Sequence, residues 1–238
     1  MAPIPMDPVV FLRGAVALTG RFPALSGVDL SVGEGEVVSI VGANGAGKTT
    51  LLRVCAGLVA VSSGEARVLG IDLREDAAAV RRRVGILGHS PSLYDELTAA
   101  ENVRFALRAA GVAADKAVTA LARVGITGRL VKTTVAHLSA GQRRRVALSV
   151  LVGRVPELWL LDEPHAGLDP SARQLLAELV AEAVACGSSV VFSSHEPDLA
   201  ASMSDRRITM AGGRVADVIS GARRAKLSAV AEGGSNVA

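Results

Sequence analysis

The sequence predicts an α/β fold, in which buried parallel strands are connected by helices. Two apolar runs, residues 158–162 and 188–194, are separated by an amphipathic stretch at residues 171–185. A helix that connects two successive strands of one sheet implies that the strands are parallel. A third apolar run, residues 37–41, leads into a glycine-rich loop and then a helix start. The sequence therefore predicts a parallel sheet with ligand-binding loops at the carboxyl ends of its strands.

The composition fits a globular chain with a large apolar core. Half of the 238 residues are hydrophobic, and the mean hydropathy is +0.38. No run approaches the roughly 18 to 20 uncharged apolar residues that a membrane span needs. The first eight residues lack the charged region and apolar core of a signal peptide. We expect a protein on the cytoplasmic side, against a membrane-embedded partner that covers some of its apolar surface.

The basic clusters and the cysteines do not indicate further sites. The runs Arg81 to Arg83 and Arg143 to Arg145 lack interleaved aromatic residues, so we expect solvated helix faces and no nucleic-acid partner. Cys55 and Cys186 form no C-x-x-C pattern. We expect both to be reduced core residues.

The elements along the chain change in character twice. From residue 9 to residue 41, short apolar runs alternate with turn residues, which predicts β-structure with hairpin turns, and residues 64–70 predict another short strand. Residues 93–151 predict helices, because alanine-rich periodic segments dominate there. Gly111 and Gly125 interrupt these segments.

The glycine-rich loop after residues 37–41 fits the phosphate-binding pattern G-x-x-x-x-G-K-[ST]. Glycines allow successive backbone N–H groups to converge on phosphate oxygens, and the following helix N-terminus favours negative charge. Lys48 adds a cation for the β- and γ-phosphates, and the Thr49 hydroxyl can ligate Mg²⁺. We refer to residues 42–50 as the phosphate loop. Its residues expected to bind nucleotide are Gly42, Ala43, Asn44, Gly45, Ala46, Gly47, Lys48, Thr49 and Thr50.

Asp162 and Glu163 are adjacent carboxylates at the end of the run that begins at Leu158. Successive strand side chains point in opposite directions, so the two carboxylates can take different roles. Beside a phosphate loop, we expect Asp162 to hold Mg²⁺ or its water, and Glu163 to polarise the water that attacks the γ-phosphate.

Three further motifs occur in a specific order around these carboxylates. Residues 138–142, Leu-Ser-Ala-Gly-Gln, precede an arginine run; residues 166–169, Ala-Gly-Leu-Asp, and then His195 follow the carboxylates. With the phosphate loop, this order resembles the ATP-binding cassette (ABC) family over about residues 10–215. The resemblance implies a P-loop NTPase (RecA-like) core with an N-terminal antiparallel β subdomain and an inserted helical subdomain.

The resemblance also implies the division of the chain and its assembly. A single ABC ATPase domain would comprise a β subdomain and RecA-like core at about 9–90 and 155–220, a helical subdomain at about 91–154, and a loosely ordered tail at 221–238. ATP and Mg²⁺ would be the cofactors, and the partners would be a second copy of the chain, sharing two ATP molecules, and integral-membrane permease subunits. We refer to residues 138–142 as the signature segment. The signature residues expected to bind the γ-phosphate of ATP on the second copy are Ser139, Ala140, Gly141 and Gln142.

Other residue roles follow from the same resemblance. Asp169 would lie in a loop that crosses the dimer interface, and His195 would contact the γ-phosphate and align the water with Glu163. Ala140 replaces the usual glycine, which is tolerable where φ is negative. His89 replaces a glutamine that lies near the metal and the membrane partner, and a histidine can still coordinate a metal or form hydrogen bonds. Because no tyrosine precedes the phosphate loop, Phe22 is the expected ring for adenine stacking.

The chain looks most like one branch of this family, the haem-exporter ATP-binding subunit of cytochrome c maturation. Gly88-His89, residues 96–105 and the alanine in the signature segment carry this resemblance. It implies ATP hydrolysis coupled to transport by a peripheral protein on the cytoplasmic side of the cell membrane. The alternatives are the ATPase of another exporter, for drugs, lipid or polysaccharide, and a soluble cassette ATPase of DNA repair or translation. A regulatory module without turnover is disfavoured, because Glu163 and His195 are both present.

Overall fold

The computed structural model describes residues 8–221. The predicted loosely ordered tail lies outside the described residues from residue 222 onward. The strands are β1 (Val10–Thr19), β2 (Phe22–Val32), β3 (Val37–Val41), β4 (Ser63–Val68), β5 (Ile71–Asp72), β6 (Val84–Leu87), β7 (Leu158–Leu161), β8 (Ser189–Ser193), β9 (Arg206–Ala211) and β10 (Arg214–Ser220). The α-helices are α1 (Lys48–Cys55), α2 (Leu73–Arg83), α3 (Ala99–Ala109), α4 (Lys116–Arg123), α5 (Ala140–Arg154), α6 (Pro170–Ala185) and α7 (Pro197–Met203).

Four strands form an antiparallel sheet in the order β2-β1-β4-β5. The pairing of β1 shifts register after Leu12, where Gly14 has a φ of +56°. A Cβ at Gly64 on β4 would lie 2.2 Å from the Gly14 carbonyl oxygen, so only glycine permits this close approach of the two strands. The predicted β-structure before the phosphate loop is confirmed.

Six strands form the second sheet in the order β10-β9-β3-β8-β7-β6. Strands β3, β6, β7, β8 and β9 are parallel, and β10 is antiparallel to β9. The parallel pairing of β7 and β8, with α6 between them, confirms the prediction. The carboxyl ends of β3, β7 and β8 therefore lie at one edge of the sheet, beside each other.

Two apolar clusters cover the two faces of this sheet. One contains the inner face of the four-stranded sheet and the buried side of α1, and the other contains apolar residues of α3, α4, α5 and α6. Gly111 and Gly125 follow α3 and α4 with φ of +72° and +76°, as their predicted breaking role requires. Among residues 8–221, no helix is long and apolar enough to cross a membrane.

Two expectations about side-chain environment are wrong in part. Cys55 is buried as predicted, but Cys186 is exposed, because it follows the last turn of α6 at the surface. Arg81 and Arg82 are on a solvated helix face as predicted. Arg144 is not, since it is buried with only 9% of its surface exposed.

Candidate active site

The phosphate loop joins the end of β3 to the start of α1 in a conformation that requires glycine. Gly42, Gly45 and Gly47 have φ of +148°, +78° and +102°. A Cβ at Gly42 would lie 2.3 Å from the Met210 carbonyl oxygen, and one at Gly47 would lie 2.7 Å from the Ala24 carbonyl oxygen. The N-cap residue of α1 is Gly47, which has no side chain that could accept a hydrogen bond from the first turn. The first turn therefore offers backbone N–H groups and a positive helix end to an anion.

Lys48 lies across this loop and is almost fully buried. Its Nζ donates hydrogen bonds to the carbonyl oxygens of Gly42 (2.8 Å) and Ala43 (3.1 Å). An ammonium group carries three donors and no acceptor, so a third donor remains for an oxygen of a bound ligand. The lysine charge is thus fixed over the loop that is expected to hold the phosphates.

Asp162 connects the phosphate loop to β8. Its Oδ2 accepts a hydrogen bond from the Thr49 hydroxyl (2.9 Å), and its Oδ1 accepts one from the Ser193 hydroxyl (2.7 Å). Mg²⁺ prefers oxygen ligands and is usually bound by one or two carboxylates together with phosphate oxygens and water. A hydroxyl and a carboxylate side by side at a phosphate loop therefore fit a magnesium ion.

Glu163 is brought together with both predicted histidines. Its Oε1 contacts Nε2 of His195, and its Oε2 lies 3.9 Å from Nδ1 of His89. The Glu163 side chain is 20% exposed, whereas the two histidines are more open to solvent. A partly exposed carboxylate held against an imidazole can accept a proton from a water molecule on its open side. The sheet edge thus places a candidate base next to the phosphate loop.

Two residues that sequence reasoning missed hold the backbone that carries Glu163. Ser193 Oγ accepts the Glu163 N–H (2.9 Å). The buried Arg144 donates to the Glu163 carbonyl oxygen (2.5 Å), and burial lowers the pKa of its guanidinium. A signal for Arg144 was present, because it shares a helical spacing with the buried Leu148 and Leu151.

The signature segment is not joined to the phosphate loop within this chain. Ser139 is the exposed N-cap of α5 and accepts the Gln142 N–H (3.2 Å), while the Gln142 side chain accepts the Ser139 N–H (2.9 Å). Ala140 is the first helical residue, and its φ is not positive, so the replacement of glycine is tolerated. Between residues 8 and 221, no hydrogen bond connects this helix start to residues 42–50.

Asp169 and Phe22 lie at the surface. Asp169 caps α6 by accepting the Ala172 N–H (2.7 Å) and the Ser171 hydroxyl (2.7 Å), and these bonds hold its pKa below the usual value. Phe22 begins β2 and is 80% exposed. It precedes by two residues Ala24, whose carbonyl borders Gly47 of the phosphate loop. Its ring is therefore open to solvent, near the strand that borders the phosphate loop.

A cleft of about 620 Å³ opens beside His89. Leu93 and Tyr94 line it, and the Tyr94 ring packs edge-on against Phe105 at 5.2 Å between centroids. Both rings are about half exposed. His89, which the resemblance places near the membrane partner, lines the same cleft as these rings.

A family model and several curated relatives each match more than half of this chain. A family model described as ABC transporter matches residues 25–166. The cytochrome c biogenesis ATP-binding export protein CcmA of Aromatoleum aromaticum is 39% identical over 192 residues, covering 79% of this chain and 89% of the relative. The methionine import ATP-binding protein MetN of Caulobacter vibrioides is also 39% identical, over 83% of this chain but 62% of the relative.

The fold has a close match among solved structures. A dimeric ATP-binding cassette in a post-hydrolysis state, bound to ADP and Pi, superposes with a TM-score of 0.80 and 28% identity. The match covers 89% of this chain and 98% of that chain.

Proposed function

The chain belongs to the ABC transporter family as an ATP-hydrolysing subunit, and we propose that two copies of it close on two ATP molecules to drive a membrane permease in cytochrome c biogenesis. ATP hydrolysis is supported chiefly by two contacts at the carboxyl ends of the parallel strands. Asp162 bonds to Thr49 of the phosphate loop, and Glu163 contacts His195. A metal ligand, a base and an orienting imidazole thus surround the end of the phosphate loop.

The residues act on ATP in distinct ways under this proposal. The amides of the phosphate loop and Lys48 hold the β- and γ-phosphates, and Phe22 stacks on adenine. Thr49 and Asp162 would hold Mg²⁺, which when bound neutralises charge on the phosphate oxygens. Glu163 takes a proton from the attacking water, and His195 holds Glu163 and the γ-phosphate in register.

The second copy supplies the signature segment. The start of α5 is exposed and is satisfied by its own capping residues, and Ser139 retains its hydroxyl hydrogen as a donor. A helix N-terminus attracts anions, so this tip can close over a γ-phosphate on a facing chain. Asp169, which is exposed at the start of α6, would lie in the same interface. The match to a dimeric cassette supports this arrangement.

Variants of Glu163 and Lys48 test the proposed chemistry. Glu163→Gln should bind Mg·ATP, double its mass on a sizing column and lose hydrolysis, because the amide cannot accept the proton. Lys48→Ala should weaken nucleotide binding itself. Glu182→Gln, which removes a surface carboxylate paired with Arg123, is the control and should hydrolyse ATP normally. Hydrolysis at the parent rate by Glu163→Gln would contradict the role of Glu163.

The permease is proposed to dock in the cleft beside His89. Its half-exposed Tyr94 and Phe105 and its aliphatic lining suit an apolar segment of a membrane subunit. Ser92→Cys in a Cys186→Ser background should cross-link to the permease, whereas the native exposed Cys186 just after α6 should not. Equal cross-linking from both positions would argue against this docking site. The site would place the chain peripherally on the cytoplasmic side of the membrane.

Haem export is the proposed transport role, because the relative from Aromatoleum aromaticum is named for cytochrome c biogenesis and export. Deletion of the gene should abolish c-type cytochromes on a haem-stained gel. The intact chain should restore them, and Glu163→Gln should not. Unchanged cytochromes in the deletion strain would contradict the proposal. The equal identity to a methionine importer makes methionine uptake the second function to measure in the same strain.

The division into subdomains is also a proposal. Helices α3, α4 and α5 are consecutive in the chain and pack on one another, which supports a helical subdomain at about 91–154. The remaining segments, about 9–90 and 155–220, would form the β subdomain and the core.

A further inference from the structure

Arg144 gathers four backbone carbonyl groups around one buried guanidinium. Its Nε donates to Pro164 O (3.2 Å), and its Nη2 donates to Asp162 O (3.1 Å) and Glu163 O (2.5 Å). Its Nη1 donates to His89 O (3.2 Å). Three consecutive carbonyls of the turn that carries Glu163 thus converge on a single cation from helix α5.

The turn needs such support because Glu163 has an unfavourable backbone conformation. Its φ is +49°, in the left-handed region that a non-glycine residue rarely adopts. Within the turn itself, the Glu163 carbonyl accepts only the Ala166 N–H (3.1 Å). The Glu163 N–H is held by Ser193 on β8. Arg144 and Ser193 therefore fix the two sides of the peptide backbone from which the catalytic side chain projects.

We propose that Arg144 is a positioning residue for ATP hydrolysis, which holds Glu163 in the geometry that accepts the proton of the attacking water. The inference rests on the proposed role of Glu163. Within residues 8–221, the hydrogen bonds of the guanidinium go to the 162–164 turn and His89 and not to residues 42–50, so it acts through the turn. Because it also holds the carbonyl of His89, it connects the signature helix and the wall of the permease cleft to the same turn.

Lysine at this position cannot donate to all four carbonyl groups. A guanidinium presents five N–H donors in a planar fork, whereas an ammonium has three donors at one point. Arg144→Lys keeps the positive charge near Asp162 and Glu163 but loses the fork across the turn. It therefore changes the position of the turn more than its electrostatics.

Arg154, near the other end of α5, provides a matched control. Its Nη2 donates to two backbone carbonyls, Arg82 O (3.2 Å) and Val84 O (3.2 Å), and burial lowers the pKa of its guanidinium as it does for Arg144. The Arg82 carbonyl is in the last turn of α2 and the Val84 carbonyl is at the start of β6, whereas Glu163 follows the carboxyl end of β7. Arg154→Lys thus removes the same kind of bond from the same helix away from the active site.

The test compares steady-state ATPase of the full chain with Mg·ATP. A catalytic group displaced by about 1 Å loses about 100-fold in rate, so Arg144→Lys should lower kcat between about 10- and 100-fold. KM for ATP should stay within about twofold, because the phosphate loop is untouched. Arg154→Lys should keep kcat within about twofold at a similar loss in thermal midpoint. Arg144→Gln repeats the comparison if Arg144→Lys folds poorly.

A double variant separates positioning from general damage. In the Glu163→Gln background, Arg144→Lys should cause no further loss in the single-turnover rate, since the residue that it positions is already inactive. A parental kcat in Arg144→Lys beside an inactive Glu163→Gln would overturn this inference alone. Equal losses of kcat in Arg144→Lys and Arg154→Lys would also overturn it. The same would follow if the double variant had a lower single-turnover rate than Glu163→Gln alone. A fully active Glu163→Gln would overturn the proposed function and this inference with it.

Discussion

Helices α1 and α5 begin in opposite ways. Helix α1 follows Gly47 without a side-chain cap, and Lys48 lies buried across the loop before it. Helix α5 begins after Ser139, and Ser139 and Gln142 satisfy each other's backbone N–H groups. The N–H groups at the start of α1 are thus open to an anion within a single chain, whereas the proposed phosphate site at the start of α5 would need a ligand held by a second copy.

The glycines of the two regions differ in the same sense. Gly47 has a positive φ, and a Cβ there would meet the backbone of β2. Gly141 in the signature segment has no positive φ, and a Cβ there would meet nothing within 4 Å. Glycine is thus required by the chain's own fold at Gly47. At Gly141 the described residues leave open space beside the backbone.

The largest effect should come from Gly47→Ala. The strained φ and the 2.7 Å approach to Ala24 O should open the phosphate loop and raise the Kd for Mg·ATP by at least ~100-fold, or about 3 kcal/mol. Gly45→Ala is the control, because its φ is positive but its Cβ would meet no atom within 4 Å. Titration calorimetry checks this, and equal affinities of the two variants would break the contrast.

His165 is buried directly after the 162–164 turn. Burial lowers its pKa to about 4, with Arg173 and Arg144 adding to the effect and Glu196 opposing it. Between pH 6.5 and pH 4 the unfolded chain takes up a proton that the folded chain does not. The free energy of unfolding should therefore fall as the pH falls, by up to about 3 kcal/mol.

Urea unfolding at pH 7 and pH 4.5 measures this contribution. His165→Gln removes the titrating ring, so its stability should depend less on pH than that of the parent over this range. Parallel pH dependence in both proteins would contradict a neutral buried His165.

Ser139→Ala should have a smaller effect on stability than on turnover. Loss of the cap should cost about 1 kcal/mol of unfolding free energy. Turnover should fall by about tenfold, because the hydroxyl is also lost as a donor to the facing phosphate. Ser202→Ala serves as the control, since Ser202 is an exposed serine of α7 whose hydroxyl donates to the Leu199 carbonyl oxygen. Turnover equal in the two variants would place Ser139 outside the active site.

Gly141→Ala should have the smallest effect on the isolated chain. Alanine in the first turn of α5 should leave the unfolding free energy unchanged or raise it by up to about 1 kcal/mol. Monomer affinity for Mg·ATP should match the parent. A loss of turnover with normal stability would indicate that the added methyl group is crowded only in the assembled dimer. A loss of stability would instead show that the fold of the single chain requires glycine at Gly141, as it does at Gly47.

The sequence predicted the parts of the site that follow strand ends. The phosphate loop, Asp162, Glu163 and His195 come directly after β3, β7 and β8, and parallel pairing brings those ends together. Ser193 and Arg144 were not predicted to act there. Arg144 bonds to backbone carbonyls 18 to 20 residues away along the chain. Every residue has a backbone carbonyl, so residue types do not indicate which ones accept these bonds.

Strands β9 and β10 were also missed. Residues 206–211 begin with two arginines, which obscure an apolar run. In the fold, Arg206 pairs with Glu36 at 2.9 Å and so tolerates its place beside β3. That pairing joins residues far apart in sequence and is visible only in the tertiary structure.

Under the proposed function, the phosphate loop of one chain and the signature segment of another form one ATP site. The most direct measurement mixes two inactive variants, Lys48→Ala and Ser139→Arg, and follows ATP hydrolysis. In a 1:1 mixture half of the dimers contain one of each chain, with one intact site of two, so activity should return to about a quarter of the parent rate. A mixture that stays as inactive as its two components would contradict the claim.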